Sequence, residues 1–356
     1  MSAAEIFDVT IIGGGPSGLF STFYSGLREM KTKVIEYQQQ LGGKVHVYPE
    51  KMIWDVGAMT PISGEQLIQQ MTEQALTFGP EVVLGEKVKE LSKNENGHFI
   101  LKTESGQTHL SKTVIVAIGG GILDPQKLEV EGAEKFYGSN LSYTIKSLKK
   151  FKDKTVMISG GGHTAVDWAN ELEPIAKKVY LTYRKDALHG HEAQVSQLLN
   201  SSVECFFHTE ITKLLPDSNG QLIEYVELTN HQTGEVTHMS VDEVVVNHGY
   251  VREKALLEDS DLTIEMVDQH YIKGNAFCET SVPGLYAVGD VVDYEGKIHL
   301  IAGTFQDAIQ AVNKAKQFVQ PDAEKSGIVS SHNEIFNKRN RELIDKQMRE
   351  KAVAGK

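Results

Sequence analysis

Gly13, Gly15 and Gly18 form the pattern G-x-G-x-x-G, and 147 positions later Gly160, Gly162 and Ala165 repeat it as G-x-G-x-x-A. In this pattern the first glycine permits a tight turn and the second lets backbone approach a pyrophosphate. The third small residue lets a helix pack closely on a strand. The chemistry is phosphate binding, and it requires a strand before the turn and a helix after it. Unpaired N–H groups and the positive dipole end then meet the anion at the helix start.

Both copies carry that context. Residues 7–12 form an apolar run that predicts a buried strand, 16–29 predict a helix that opens with Ser17 in its first turn, and 33–35 predict a second strand ending at Glu36. Glu36 lies 23 positions beyond Gly13. A carboxylate there accepts both ribose hydroxyls and repels a 2′-phosphate. In the second copy Thr155–Ser159 predicts a strand, and a helix runs to about Leu172 with His163 and Thr164 at its start. Residues 178–182 then lead into Tyr183-Arg184-Lys185. Bases stand where the first copy has its acid. Arg184 can grip a phosphate bidentately, and Lys185 or His189 can add charge. The first site reads as one for FAD and the second as one for NADPH rather than NADH, with His163 placed to touch the pyrophosphate. A third segment, 282–290, is an apolar strand ending in Gly289-Asp290. Followed by a helix, it suits a flavin's ribityl chain and pyrophosphate; the plainer reading of Asp290 is a helix N-cap.

The remaining composition sets bounds. A chain of 356 residues predicts about two domains. Hydrophobic residues at 40% and charged residues at 24% are those of an ordinary globular protein, with glycine, at 32 residues, in excess. A net charge of −12 argues against a surface built for nucleic acid or anionic lipid. Cys205 and Cys278 lie 73 positions apart, so no C-x-x-C pair or Cys-rich zinc site exists, and sparse cysteine suits a reducing cytoplasm. The start of the chain has no basic region typical of a signal peptide, and no apolar run approaches the ~18 residues of a membrane span. The expectation is a soluble, cytoplasmic protein with neither nucleic-acid nor membrane partners and no metal.

The three glycine segments, in this order, resemble the two-dinucleotide-binding-domain flavoprotein disulfide reductase superfamily, in its thioredoxin-reductase-like size class, to about residue 336. The resemblance implies an α/β fold of two Rossmann-like three-layer domains. An FAD-binding domain, 1–122 and 246–330, is interrupted by an NADPH-binding domain, 123–245, and a partly basic tail, 331–356, follows. Strands at 113–118 and 244–246 resemble the two crossover segments. Residues 166–172 contain no cysteine, which excludes the dithiol relay of thioredoxin reductases. The chain is instead similar to the ferredoxin–NADP reductases of the thioredoxin-reductase-like type. Leu41-Gly42-Gly43-Lys44, Tyr48-Pro49-Glu50-Lys51, Asp167-Trp168-Ala169, Arg184-Lys185-Asp186 with His191-Glu192, and Asp290 followed by Tyr294-Glu295-Gly296-Lys297 carry that similarity.

What the resemblance implies is residue-specific. Tyr48 would stack on one face of the isoalloxazine, Asp55 would bond the ring edge, Glu36 the ribose and Asp290 the ribityl-phosphate chain. Val88 and Leu123 match positions lining the FAD site. The other flavin face would be covered from the partner subunit of a homodimer by Ser331 or His332. Lys44, beside Gly43, stands where the group usually has Gln, and a cation near the flavin would raise its reduction potential. The usual arginine-rich phosphate clamp is here Arg184, Lys185 and His189, a change that loosens NADPH discrimination and makes it pH-sensitive. The implied activity is electron transfer between NADPH and ferredoxin or flavodoxin. An NADPH diaphorase acting on quinones, flavins or ferric chelates, and a redox-responsive binding protein, are the alternatives. Residues 337–351 hold six Lys/Arg and three acids, a solvated helix or tail that would attract an acidic partner. Truncation after Phe336 is expected to flatten the salt dependence of ferredoxin reduction; an unchanged dependence refutes the steering role.

Overall fold

In the computed structural model the described residues are 5–121, 124–251, 256, 260–268, 270–327, 330 and 334–354. In chain order the first elements are β1 (Ile6–Ile12), α1 (Pro16–Leu27), β2 (Thr32–Glu36), α2 (Gly64–Ala75), β3 (Glu81–Leu84), β4 (Val88–Lys93), β5 (Phe99–Thr103) and β6 (Thr108–Val116). Then follow β7 (Leu141–Ser142), β8 (Thr155–Ser159), α3 (His163–Leu172), β9 (Lys178–Tyr183), α4 (Glu192–Leu199) and β10 (Glu204–Phe207). The remainder holds β11 (Thr209–Pro216), β12 (Ile223–Asn230), β13 (Val236–Ser240), β14 (Glu243–Val246), β15 (Leu285–Ala287), α5 (Ile301–Val319) and α6 (Asn337–Ala354). The chain forms two compact units: Met1–Gly42 with Gln70–Gly119 and Lys254–Lys356, and Gly43–Gln69 with Gly120–Glu253.

The first unit is built on a sheet of order β3-β2-β1-β6-β5-β4. Its β3, β2, β1 and β6 run parallel, and β5 and β4 fold back antiparallel. The nine residues of β6 are long enough to pair with β5 at one end and with the late strand β15 at the other. Central strands buried on both faces need continuous apolar sequence, which β1 supplies with Val9, Ile11 and Ile12 at 5% exposure or less. Ile12, Ile35, Val114 and Val116 join Phe99, Leu101, Ala287 and Val292 in one core. Helices α1 and α5 pack on each other and on the strands, with the rings of Phe20 and Phe305 4.9 Å apart. Small residues permit this closeness. Gly26 faces the ring of Phe78, and the hydroxyls of Ser21 and Thr22 turn back on the carbonyls of Ser17 and Gly18 at 2.8 Å each, so burial leaves them satisfied.

In the second unit the parallel sheet has the order β7-β14-β8-β9-β10, beside an antiparallel β11-β12-β13 sheet. Strand alternation sends Val244 and Val246 of β14 into a core with Met157, Val226 and Leu228. Val245 between them joins Ile158, Leu181 and the α3 residues Val166, Ala169 and Leu172. Helix layer, parallel sheet and antiparallel sheet thus make three layers. The segment 43–69, expected with the first glycine motif, groups with this unit. It has little core of its own, being a 3-10 turn, Gly43–Val47, a two-residue strand pair and the start of α2. It is fastened instead. The Lys51 ammonium meets the Asp167 carboxylate at 2.5 Å, Glu50 accepts the Leu148 N–H at 2.7 Å, and Tyr48 packs on the α3 core. The chain passes between the units after Gly42, Gln69, Gly119 and Glu253.

Leu181 is fully buried between α3 and β14. Leu181→Ala is expected to destabilise the second unit by about 2–5 kcal/mol, read as a lower denaturation midpoint.

Candidate functional site: two matched glycine turns

The two glycine turns are the same backbone object displaced by 147 positions. Gly13 N–H donates to the Ile35 carbonyl at 2.8 Å and Gly160 N–H to the Thr182 carbonyl at 3.0 Å. Leu19 closes the first helical turn on Gly15, and Val166 closes it on Gly162. Gly14 O accepts from Gly42 N–H, and Gly161 O from His189 N–H, both at 2.7 Å. The Ala117 N–H pairs with Ile12 O, and Asn247 N–H with Ser159 O, each at 2.8 Å. Gly13 has φ +106°, and a Cβ there would stand 2.5 Å from the Ala117 carbonyl oxygen. No other residue fits that position. Neither α1 nor α3 has a side-chain cap; their N-caps are Gly15 and Gly162, so the first-turn donors are left for a ligand.

The side chains beyond the shared backbone differ. In the first turn the buried Glu36 carboxylate accepts Gly14 N–H at 2.6 Å on one oxygen and Gln38 N–H at 2.8 Å on the other. Each oxygen keeps a lone pair for a hydroxyl. The 147-residue register puts Tyr183, not a base, in the place of Glu36. The ring of Tyr183 lies against Gly161 and is edge-on to the His189 ring, with centroids 6.3 Å apart. Arg184 and Lys185 follow it and are exposed. His163 and Thr164 are exposed at the start of α3, where the His163 ring meets that of His191, the N-cap of α4, at 5.2 Å. Gly160, Gly162, His163, Thr164, Arg184, Lys185 and His189 therefore share the carboxyl ends of β8 and β9.

The third segment differs from the sequence expectation. Gly289–Val291 is a single 3-10 turn running into the short strand Val292–Asp293, and the next helix, α5, starts at Ile301. Gly289 has φ +77°, and a Cβ on it would stand 2.6 Å from Ser17 Oγ. The third segment thus touches the first helix turn. Asp290 is half exposed, with an oxygen 3.7 Å from His299 Nδ1. Gly13, Gly15, Ser17, Gly18, Glu36, Gly289 and Asp290 come together in the first unit; Val88 is there too, with its side chain in the core. Gly43, Lys44, Tyr48 and Asp55 belong to the second unit. There the Lys44 ammonium lies 5.9 Å from the ring of Tyr250, and Asp55 is exposed. Leu123, Ser331 and His332 lie outside the described residues. Sequence reading missed Asp307, on α5, whose carboxylate accepts the Gly289 N–H at 2.9 Å. No local motif marks it.

Neither cysteine is a reactive thiolate: burial pushes the thiols of Cys205 and Cys278 up in pKa. Among the described residues no cluster of His, Cys, Asp or Glu could hold a metal, and no helix is long and apolar enough to cross a membrane. His248, which shares a 2.9 Å hydrogen bond with Ser159 Oγ, is held below the usual imidazole range by burial and then by the charge of Arg184. The folded state therefore binds its proton less readily than the unfolded chain. The stability His248 contributes is present above the ordinary imidazole pKa and fades as pH falls through it. Arg184→Ala is expected to move the His248 titration upward, followed by imidazole NMR shifts.

Comparison with known proteins agrees with this geometry. The pyridine nucleotide-disulphide oxidoreductase family matches residues 7–317. A Bacillus mycoides protein named ferredoxin–NADP reductase 1 is 67% identical over 349 residues, covering 98% of this chain and 100% of its own. A protein of the same name from Bacillus licheniformis is 68% identical over 97% of this chain and 99% of its own. Among solved structures, Lactococcus lactis thioredoxin reductase matches with a TM-score of 0.73 at 25% identity, over 88% of this chain and 99% of that one. Its matched fold is a two-domain flavoprotein fold. With its paired glycine turns, its three-layer second unit and these relatives, the chain belongs to the pyridine nucleotide-disulphide oxidoreductase family.

Proposed function

We propose that this protein is a ferredoxin–NADP reductase that holds FAD at the first glycine turn and NADPH at the second. The observation carrying the reading is one backbone built twice with different side chains beyond it: a buried, bonded Glu36 after the first turn, and Arg184 and Lys185 after the second. The acid favours a free ribose and the bases a 2′-phosphate. Full-length relatives carrying the reductase name support the same reading.

The residues of the first unit fit an FAD. The uncapped α1 N-terminus faces the pyrophosphate, Glu36 takes the ribose hydroxyls, and the Gly289–Asp290 turn lies beside Ser17 for the ribityl chain. At the second turn, the α3 N-terminus with His163 and Thr164 meets the other pyrophosphate, and Arg184 with Lys185 and His189 holds the 2′-phosphate. Bound FAD supplies two-electron acceptance from NADPH and one-electron delivery to an iron–sulfur or flavodoxin partner. The protein's part is to bind, orient and select; no general acid–base pair is required of it. The low cysteine count suits a cytoplasmic setting.

The test is anaerobic titration of the purified protein with NADPH and with NADH, followed by ferredoxin. A yellow protein bleached by NADPH and reoxidised by ferredoxin is expected. A colourless protein that binds no FAD overturns the reading, and equal or faster turnover with quinones or ferric chelates at matched concentration replaces ferredoxin as the acceptor. Arg184→Ala is expected to weaken NADPH binding about 10- to 100-fold, the size of a charge-assisted phosphate contact, with NADH affinity essentially unchanged.

A further inference from the structure

The interior of the first unit holds an ion pair that no nucleotide motif accounts for. Asp307 of α5 and Lys297 each have side chains 1% exposed, and the Lys297 ammonium lies 2.9 Å from Asp307 Oδ2. The same oxygen accepts the Gly289 N–H at 2.9 Å, while Oδ1 accepts the Tyr294 hydroxyl at 2.6 Å. The Cys278 thiol is buried within the influence of the same carboxylate, whose charge adds to burial in raising its pKa. Three donors from three positions converge on one buried group.

A buried ion pair is a poor way to stabilise a core, since apolar residues of similar volume do as well or better. This one has a positional use. The Gly289 turn is wedged against Ser17 Oγ, and its N–H points into the interior, where a missing acceptor is costly. Asp307 supplies the acceptor, and Lys297 makes a carboxylate tolerable there. The Tyr294 and Cys278 hydrogens stay in place because burial, together with the Asp307 charge, raises the pKa of both groups.

We propose that Asp307 is a positioning residue for the flavin, fixing the Gly289–Asp290 turn against the Ser17 turn of α1, with Lys297 as its obligatory counter-charge. The proposal rests on the FAD reading of this site. It separates two roles that a merely structural ion pair would merge. Removing Lys297 strands a charge but leaves the Gly289 bond; removing Asp307 strands a charge and breaks it.

The experiment compares wild type, Lys297→Met, Asp307→Ala and the double variant Lys297→Met/Asp307→Leu. Three readouts serve: thermal unfolding of the apoprotein, the FAD dissociation constant from flavin fluorescence, and hydrogen exchange at the Gly289 amide. Both single variants are expected to lower the apoprotein Tm, and the double variant to restore most of the loss. FAD affinity is expected to fall about tenfold or more, the size of one lost hydrogen bond to a charged acceptor, in Asp307→Ala and in the double variant. In Lys297→Met it stays within about threefold of wild type, and the Gly289 amide stays protected. Equal weakening in the two single variants, or wild-type affinity in a folded double variant, overturns the proposal. Should the double variant not fold, the two single variants decide alone. A wild-type protein that binds no FAD overturns this proposal together with the function it rests on; wild-type FAD binding with undifferentiated single variants overturns this proposal only.

Discussion

The structure depends on one constraint: a helix must begin at the carboxyl end of a parallel strand with nothing in the protein capping it. An uncapped N-terminus costs stability, because its first donors lose water without gaining partners. The chain meets that cost twice, at α1 and α3, and surrounds each with the same backbone bonds. Strand, turn and helix are tied to the next strand by Gly13 and Gly160, and the flanking crossover strands, β6 and β14, press against these turns through Ala117 and Asn247. Sheet order, glycine placement and the apolar character of β1 and β8 all follow from holding that donor set open.

On this common frame the proposed selective chemistry would be carried by few side chains. Glu36 is buried and bonded on both oxygens, so it acts as a rigid acceptor. Its counterpart Tyr183 has no charge, and the bases behind it are exposed. One turn is therefore finished by the protein's own hydrogen bonds, whereas the other leaves its charges exposed. The contrast suits a nucleotide that stays and one that comes and goes.

Much of this was legible in the sequence, and what was not has a physical reason. The turns, the strands flanking them and α3 were readable because their signals are local: glycines at fixed spacing, an apolar run and an acid or base at the next strand end. The alignment of Glu36 with Tyr183 rather than Arg184 required the backbone bonds, since strand ends blur by a residue. The helix expected after Asp290 is a single turn, because Val292 pairs into a sheet with Ile272 that no local pattern announces. Asp307 escaped entirely, and Lys297, part of the 290–297 resemblance, had no role assigned to it. Asp307 reaches the Gly289 N–H from 18 positions along the chain and Lys297 reaches Asp307 from 10, between separate elements that no local pattern pairs. Segment 43–69 reads as part of the first unit by its place in the chain, but Lys51, Glu50 and Tyr48 find their partners in the second.

One feature of the second turn bears on how such a protein diverges. The bonds that shape it come from main-chain groups, including the His189 N–H, which any residue but proline could supply. The groups that would discriminate between cofactors, Arg184, Lys185 and the His189 ring, are exposed and lie outside that set. Folding and cofactor preference are thus decoupled at this turn. Its choice of nucleotide is open to retuning by single substitutions on a scaffold that does not register the change.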